Sequence, residues 1–113
     1  NNKNLEFWFD RLENAKEILN WAIFENEQFT ASAQICLLNC AYDILSSLDI
    51  RILDREKRRL FQMAHDILRK KLSFILFTDR IEKRKRLCLL LVTLLPNSFL
   101  GFKKIVTRLL DKE

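Results

Sequence analysis

Residues that interrupt helices are almost missing from this 113-residue chain, which contains one glycine and one proline. Glycine and proline punctuate turns and break helices, so their scarcity favours a few long helices. An all-β domain needs many turn residues, and a phosphate-binding loop needs several glycines, so neither is expected here. The length suits one domain built around one hydrophobic core.

The cysteine count and the length of the apolar runs indicate the cellular location expected for the chain. Three cysteines are an odd number, and the chain has no signal-peptide pattern, so we expect reduced thiols and a cytoplasmic location. The longest apolar run, Leu87–Val92, is far shorter than the roughly 20 residues that cross a bilayer. Because the chain begins at Asn1 instead of Met, we interpret it as a piece of a longer protein.

Apolar residues recur at three- and four-residue steps, which predicts helices over most of the chain. Four long helices are predicted at residues 5–25, 30–48, 55–77 and 79–95, followed by a short helix at 99–110. In the first helix, Ile18 and Trp21 widen the apolar stripe, which is typical of a helix with two or more neighbours. In the third, the predicted inner face continues through Leu72, Ile75 and Leu76.

Polar residues at the predicted helix starts serve as candidate N-caps: Asn4, Thr30, Asp54, Asp79 and either Asn97 or Ser98. Asp79 and Glu82 have the spacing of a capping box, and Pro96 ends the fourth helix. Short links join antiparallel neighbours. The predicted fold is therefore all-α: an antiparallel up-and-down four-helix bundle with an additional short C-terminal helix, forming a single domain over residues 1–113.

Charge is divided unevenly between the two halves of the chain. Residues 1–50 hold three Lys/Arg against eight Asp/Glu, a net charge of −5, and residues 51–113 hold seventeen against seven, a net charge of +10. Cations at a helix N-terminus oppose the helix dipole, so those at the starts of the third and fourth helices do not serve helix stability. An ordinary solvated helix face remains the alternative interpretation.

We predict a basic pole that binds an anionic surface, a membrane surface in particular. Its candidate residues are Arg69, Lys70, Lys71, Arg80, Lys83, Arg84, Lys85, Arg86, Lys103 and Lys104. The last two belong to the amphipathic segment 99–110, which suits a membrane interface but is short enough to favour folding back onto the bundle.

The chain contains cysteine and histidine, which can act in catalysis, but not in a sequence pattern with the further residues that a metal site or a catalytic site needs. Cys36 and Cys40 share a helix face but lack zinc-site spacing, which favours small apolar residues facing a neighbouring helix. The only histidine, His65, has no nucleophile in a known local pattern, which favours a partly exposed structural role. We expect no catalytic residues, no metal and no cofactor in this chain.

The segment from the basic residues at 80–86 through Leu87–Pro96 and on to 97–106, Asn-Ser-Phe-Leu-Gly-Phe-Lys-Lys-Ile-Val, resembles the C-terminal region of bacterial family-2 glycosyltransferases. Those enzymes often end with an apolar helix, a proline, an aromatic-rich turn and a basic amphipathic helix. The resemblance covers mainly residues 80–110, and the family's Asp-x-Asp motif is absent. It therefore implies an accessory role only.

That role is a non-catalytic accessory domain of an enzyme of surface-polysaccharide synthesis. Its expected partners are the catalytic domain of the same polypeptide, the anionic inner face of the membrane and a second copy in a homodimer. The alternative is a free-standing helical module that binds a protein or nucleic acid. Nucleic acid is disfavoured because the basic segments are flanked by apolar core positions instead of exposed aromatics for stacking.

Overall fold

The computed structural model describes residues 2–48, 54–95 and Arg108, and 89 % of these residues are helical, with no strand among them. The helices are α1 (Asn2–Glu25), α2 (Thr30–Ser47), α3 (Arg55–Lys70), α4 (Leu72–Phe77) and α5 (Lys83–Leu94), with a 3₁₀ turn at Glu27–Phe29 between α1 and α2. The all-α prediction is confirmed. The predicted helix at 99–110 lies outside the described residues except for Arg108.

Helix α2 is central, since it packs against α1, α3 and α5. Its sequence explains this position, because Asp43 is its only charged residue and leucine, isoleucine, alanine and cysteine fill most of the rest. The core residues that are almost fully enclosed come from every helix: Leu12, Leu38, Ile44, Leu60, Leu68, Ile75, Leu89 and Val92. Burial of these apolar side chains is the main force that assembles the helices.

Asp43 has a partner across the α1–α2 contact. Arg11 on α1 donates from Nη2 to Asp43 Oδ2 at 2.9 Å, and the Arg11 guanidinium carbon lies 5.3 Å from the centroid of the Trp8 ring. The charge that α2 carries is therefore neutralised by the neighbouring helix, at a position where both side chains remain partly exposed.

Two of the predicted helix starts and one further predicted N-cap are wrong. α1 begins at Asn2, so Asn4 lies inside the helix, and α2 begins at Thr30 with Phe29 at the cap position. The 3₁₀ turn runs directly into α2, and the Thr30 backbone N–H bonds to the Glu27 carbonyl. α5 begins at Lys83, four residues after Asp79, and Glu82 makes no side-chain cap bond.

The cap at Asp54 is confirmed, because its Oδ1 accepts a hydrogen bond of 2.9 Å from the Lys57 backbone N–H. The predicted ends of three helices are also confirmed to within one residue. α1 ends at Glu25, α2 at Ser47 and α5 at Leu94, shortly before Pro96. A proline keeps the residue before it out of helical geometry, so the chain leaves the helix there.

The predicted third helix is divided. The structure has α3 and α4 on either side of Lys71, whose backbone (φ −101°, ψ 15°) leaves regular helical geometry and whose N–H is shared between the carbonyls of Ile67 and Leu68. Such shared bonds are common where a helix ends. The division buries Ile75 but leaves Leu76 exposed, which corrects the prediction that Leu76 lies on the inner face.

Candidate functional site

The predicted binding residues that the structure describes fall into two groups, one on each side of α4: Arg69, Lys70 and Lys71 before it, and Arg80, Lys83, Arg84, Lys85 and Arg86 after it. We call these eight residues the basic segment. α4 has six residues, so about 9 Å of helix separates the two groups along the chain. The other two predicted residues, Lys103 and Lys104, lie outside the described residues.

Two large apolar side chains are exposed between the two groups of cations. At the end of α4, Phe77 is 83 % exposed and Leu76 is 43 % exposed. We call this pair the apolar tip. The other three apolar residues of α4 are buried or half-buried, with Ile75 in the core and Phe74 packed against it. Exposed apolar side chains bordered by polar residues often mark an interaction site.

Sequence periodicity assigned Leu76 to the interior and left Phe77 as the last residue of a helix. A signal for the tip was nevertheless present in the composition. Five of the six residues in Leu72–Phe77 are large and apolar. Neighbouring side chains along a helix point in different directions. Five large apolar side chains within six residues therefore cannot all face the core, and some of them must face outward.

Lys85 and Arg86 of the basic segment contact other parts of the fold. The Lys85 Nζ lies 3.7 Å from the centroid of the Tyr42 ring on α2, and Lys85 is half-buried. Arg86, also half-buried, donates through Nη2 to the carbonyls of Thr78 and Ile81 in the connection between α4 and α5. Lys85 and Arg86 therefore do not extend fully into water.

The remaining cations of the segment are more accessible. Lys70, Arg80, Lys83 and Arg84 are exposed, as is Arg69, which lies 3.6 Å from Asp66. An exposed ion pair of this kind contributes little and is easily exchanged for another anion. Lys71 is half-buried at the end of α3. The sequence on either side of the apolar tip is thus strongly cationic.

The cations at the start of α3 form a different environment. Arg59 lies 4.0 Å from Glu56, and its guanidinium carbon lies 5.4 Å from the centroid of the Phe9 ring on α1. Asp54 and Glu56 line the same open depression as Arg55, Arg58 and Arg59. These acids offset part of the positive charge, and no exposed aromatic residue lines the depression.

The histidine is held inside the helix packing. His65 Nε2 on α3 lies 2.8 Å from the Thr93 carbonyl on α5, which suits a ring N–H donating to that oxygen. The Thr93 hydroxyl in turn donates to the Leu89 carbonyl at 2.6 Å. The bond from His65 to Thr93 ties α3 to α5 and gives His65 a structural contact, whereas the Thr93–Leu89 bond lies within α5.

The thiols differ in their surroundings. Cys36 is exposed and Cys40 is buried, so the two do not face a neighbouring helix together as the sequence indicated. Burial raises the pKa of the Cys40 thiol, while the nearby Arg11 opposes that change. Burial also raises the pKa of Tyr42, with Cys88 adding to the effect. In the described part of the chain, no three His, Cys, Asp or Glu side chains are grouped as metal ligands would be.

Comparison with known proteins adds no relative, since no family model matches and no curated protein or solved structure is similar. Among the described helices, none combines the length and the apolar composition needed to cross a bilayer.

Proposed function

We propose that this chain is a helical docking module that binds an anionic membrane surface through the basic segment and the apolar tip. The observation that carries the proposal is the position of Phe77, almost fully exposed between two groups of cations. This is the composition of an interfacial anchor, in which apolar side chains enter the headgroup region and cations meet anionic lipid.

Simple magnitudes favour such an anchor. A Lys or Arg close to an anionic leaflet contributes about 1 kcal/mol. A large apolar side chain that leaves water contributes about 1.5–3 kcal/mol. Several exposed cations together with Phe77 and Leu76 therefore provide enough free energy for reversible binding. Neither the cations nor the tip would hold the chain as firmly alone.

The helix arrangement that presents this surface is also a proposal. We propose that the helices follow the predicted antiparallel up-and-down order. Two contacts support it for α1 and α2: Trp21 stacks on Phe29 near the turn, and Arg11 meets Asp43 farther along both helices. The hydrogen bond between His65 and Thr93 supports the same antiparallel order for α3 and α5.

One contact modifies that arrangement. Lys85, in the first turn of α5, lies over Tyr42, in the last third of α2. In a strictly aligned bundle of this order, the start of the last helix and the end of the second lie at opposite ends. α5 therefore crosses α2 obliquely in the proposed arrangement, and the division of the third helix at Lys71 gives the chain the freedom to do so.

The proposed setting is an accessory domain of a bacterial family-2 glycosyltransferase of surface-polysaccharide synthesis. The support is the resemblance of residues 80–110, of which α5 and its end before Pro96 are described. In that setting, the basic segment holds the catalytic domain of the same polypeptide at the cytoplasmic face of the membrane. Such an enzyme meets a lipid-linked acceptor there.

Binding to vesicles tests the proposal. The chain is expected to co-sediment with vesicles of phosphatidylglycerol and phosphatidylcholine, and not with phosphatidylcholine alone. Phe77→Ser is expected to weaken binding by about tenfold or more, because one large apolar side chain stays in water. The matched control is Phe24→Ser on α1, where Phe24 is 81 % exposed and lies in the acidic half of the chain.

A second pair of variants tests the cations. Lys70→Gln with Lys83→Gln removes two exposed charges beside the tip and is expected to weaken binding by about thirtyfold. Arg55→Gln with Arg58→Gln removes the same charge at the start of α3 and is expected to have a much smaller effect. Equal losses of vesicle affinity in the two double variants would mean that binding depends on net charge alone and not on the basic segment. Tighter binding to duplex DNA than to vesicles would favour the nucleic-acid alternative.

A further inference from the structure

A second exposed apolar surface lies on α1, away from the basic segment in sequence and opposite in charge. Trp21 is 50 % exposed although the sequence assigned it to a broad inner stripe. Ile18 and Phe24 lie three residues before and after it, and both are exposed. The Phe29 ring stacks on Trp21 with centroids 6.2 Å apart. We call Ile18, Trp21, Phe24 and Phe29 the α1 patch.

The α1 patch is rimmed by carboxylates. Glu17 and Glu25 lie four residues before and after Trp21, so they border it on the same helix face. Glu27 is exposed in the 3₁₀ turn beside Phe29. Residues 12–30 contain four glutamates against one lysine, a local net charge of −3. This rim is repelled by an anionic membrane, so lipid does not suit the patch.

The chemistry of the patch selects its partner. An aromatic centre that is stiffened by stacking loses little side-chain freedom on binding, and Trp is enriched among residues that dominate binding energy. Carboxylates on both sides of Trp21 favour cations on both sides of whatever covers it. An amphipathic helix with an apolar stripe between Lys or Arg residues supplies both features.

We infer that the α1 patch is a docking site for a basic amphipathic helix of a partner protein. The occupant is defined by complementarity: its apolar stripe covers Trp21 and Phe29, and its cations pair with Glu17, Glu25 and Glu27. This site is independent of the proposed membrane surface, because it uses other residues with the opposite charge.

The test uses a synthetic helical peptide of leucine and lysine, with leucines on one face, as the probe. The background is Trp8→Phe, which leaves Trp21 as the single tryptophan, since the chain contains two. Binding is expected to shift the Trp21 emission to shorter wavelength as the indole leaves water. A matched peptide with glutamate in place of lysine is expected not to bind.

Two variants separate the patch from general attraction to an acidic protein, with binding measured by anisotropy of the labelled peptide. Ile18→Ser is expected to weaken peptide binding by about tenfold, which corresponds to about 1.4 kcal/mol. Phe7→Ser is the matched control, because Phe7 is exposed on the same helix but lies eleven residues, about 16 Å, from Ile18. Glu17→Gln with Glu25→Gln is expected to weaken binding and reduce its salt dependence.

Four results overturn the inference. The first is no binding of the lysine peptide, and the second is equal binding of the glutamate peptide. The third is an equal loss of affinity in Ile18→Ser and Phe7→Ser. The fourth is a concentration-dependent dimer in analytical ultracentrifugation that Ile18→Ser dissociates, which would assign the patch to a second copy. Vesicle binding is measured on Ile18→Ser and Phe7→Ser and is expected to be unchanged, so failure of this inference is distinct from failure of the membrane proposal.

Discussion

At the scale of single residues, burial predicts which side chains hold the fold together. Leu68 is fully buried on α3. Leu68→Ala is expected to lower the free energy of unfolding by about 2–5 kcal/mol, from lost burial and the cavity left behind. Chemical denaturation followed by circular dichroism measures it. Leu76→Ala, at a half-exposed position eight residues later, is the control, and an equal loss there would contradict the assigned faces.

Cys40 makes a second residue-scale prediction, concerning pH. Burial raises its pKa in the folded state, so above about pH 8.5 the unfolded chain releases the thiol proton while the folded chain keeps it. The unfolded state then binds fewer protons, and stability falls as pH rises. Cys40→Ala is expected to flatten this decline, measured as unfolding free energy between pH 7.5 and 10. A decline as steep as in the parent chain would assign it to other groups, Tyr42 first among them.

At the scale of helices, the sequence pattern predicted the features that follow from burial of apolar side chains. It did not predict those in which two backbone conformations have similar energies. The second helix was predicted from its apolar periodicity, and its face with Leu37, Leu38 and Ala41 is buried, because an apolar face without charge is stable only in the core. The predicted third helix is divided at Lys71, and no glycine or proline lies near that position to indicate a break. The apolar tip follows from that division, so the candidate site was predicted only in its charge.

The connection between α4 and α5 is held by hydrogen bonds from Arg86, which the sequence spacing did not predict. Arg86 donates to the carbonyls of Thr78 and Ile81, whereas the predicted capping box of Asp79 and Glu82 does not form. Arg86→Gln is expected to cost about 1–3 kcal/mol, because partly buried carbonyls lose their donor. Lys83→Gln, an exposed position on the same helix, is expected to change stability by less than about 0.5 kcal/mol.

Hydrogen exchange locates the effect of Arg86→Gln. Faster exchange is expected at amides in and beside residues 78–82, where the connection loses its anchor, with little change in α1. Uniformly faster exchange across the chain would mean that Arg86 supports the whole core and not the connection. An unchanged exchange pattern would mean that its two bonds contribute nothing measurable.

At the scale of the whole molecule, two of the exposed apolar features on the described surface, the apolar tip and the α1 patch, differ in the charge of their neighbours. The basic segment flanks the apolar tip in sequence, and glutamates flank Trp21 in the α1 patch. An anionic membrane attracts the first and repels the second, so the bound chain is expected to adopt one orientation. Under the membrane proposal, the separation of charge between the two halves of the sequence would orient the bound chain.

Lipid-depth quenching measures that orientation. In a Trp8→Phe, Trp21→Phe background, Phe77→Trp places the only tryptophan at the apolar tip, while Trp8→Phe alone leaves it in the α1 patch. Anionic vesicles that contain brominated lipid are expected to quench the tryptophan at position 77 strongly and Trp21 weakly. Raising the salt to 1 M shortens the screening length to about 3 Å and is expected to release the chain and restore emission. Equal quenching at both positions would mean that the chain lies on the membrane without a preferred face, and the charge separation would then have no role in docking.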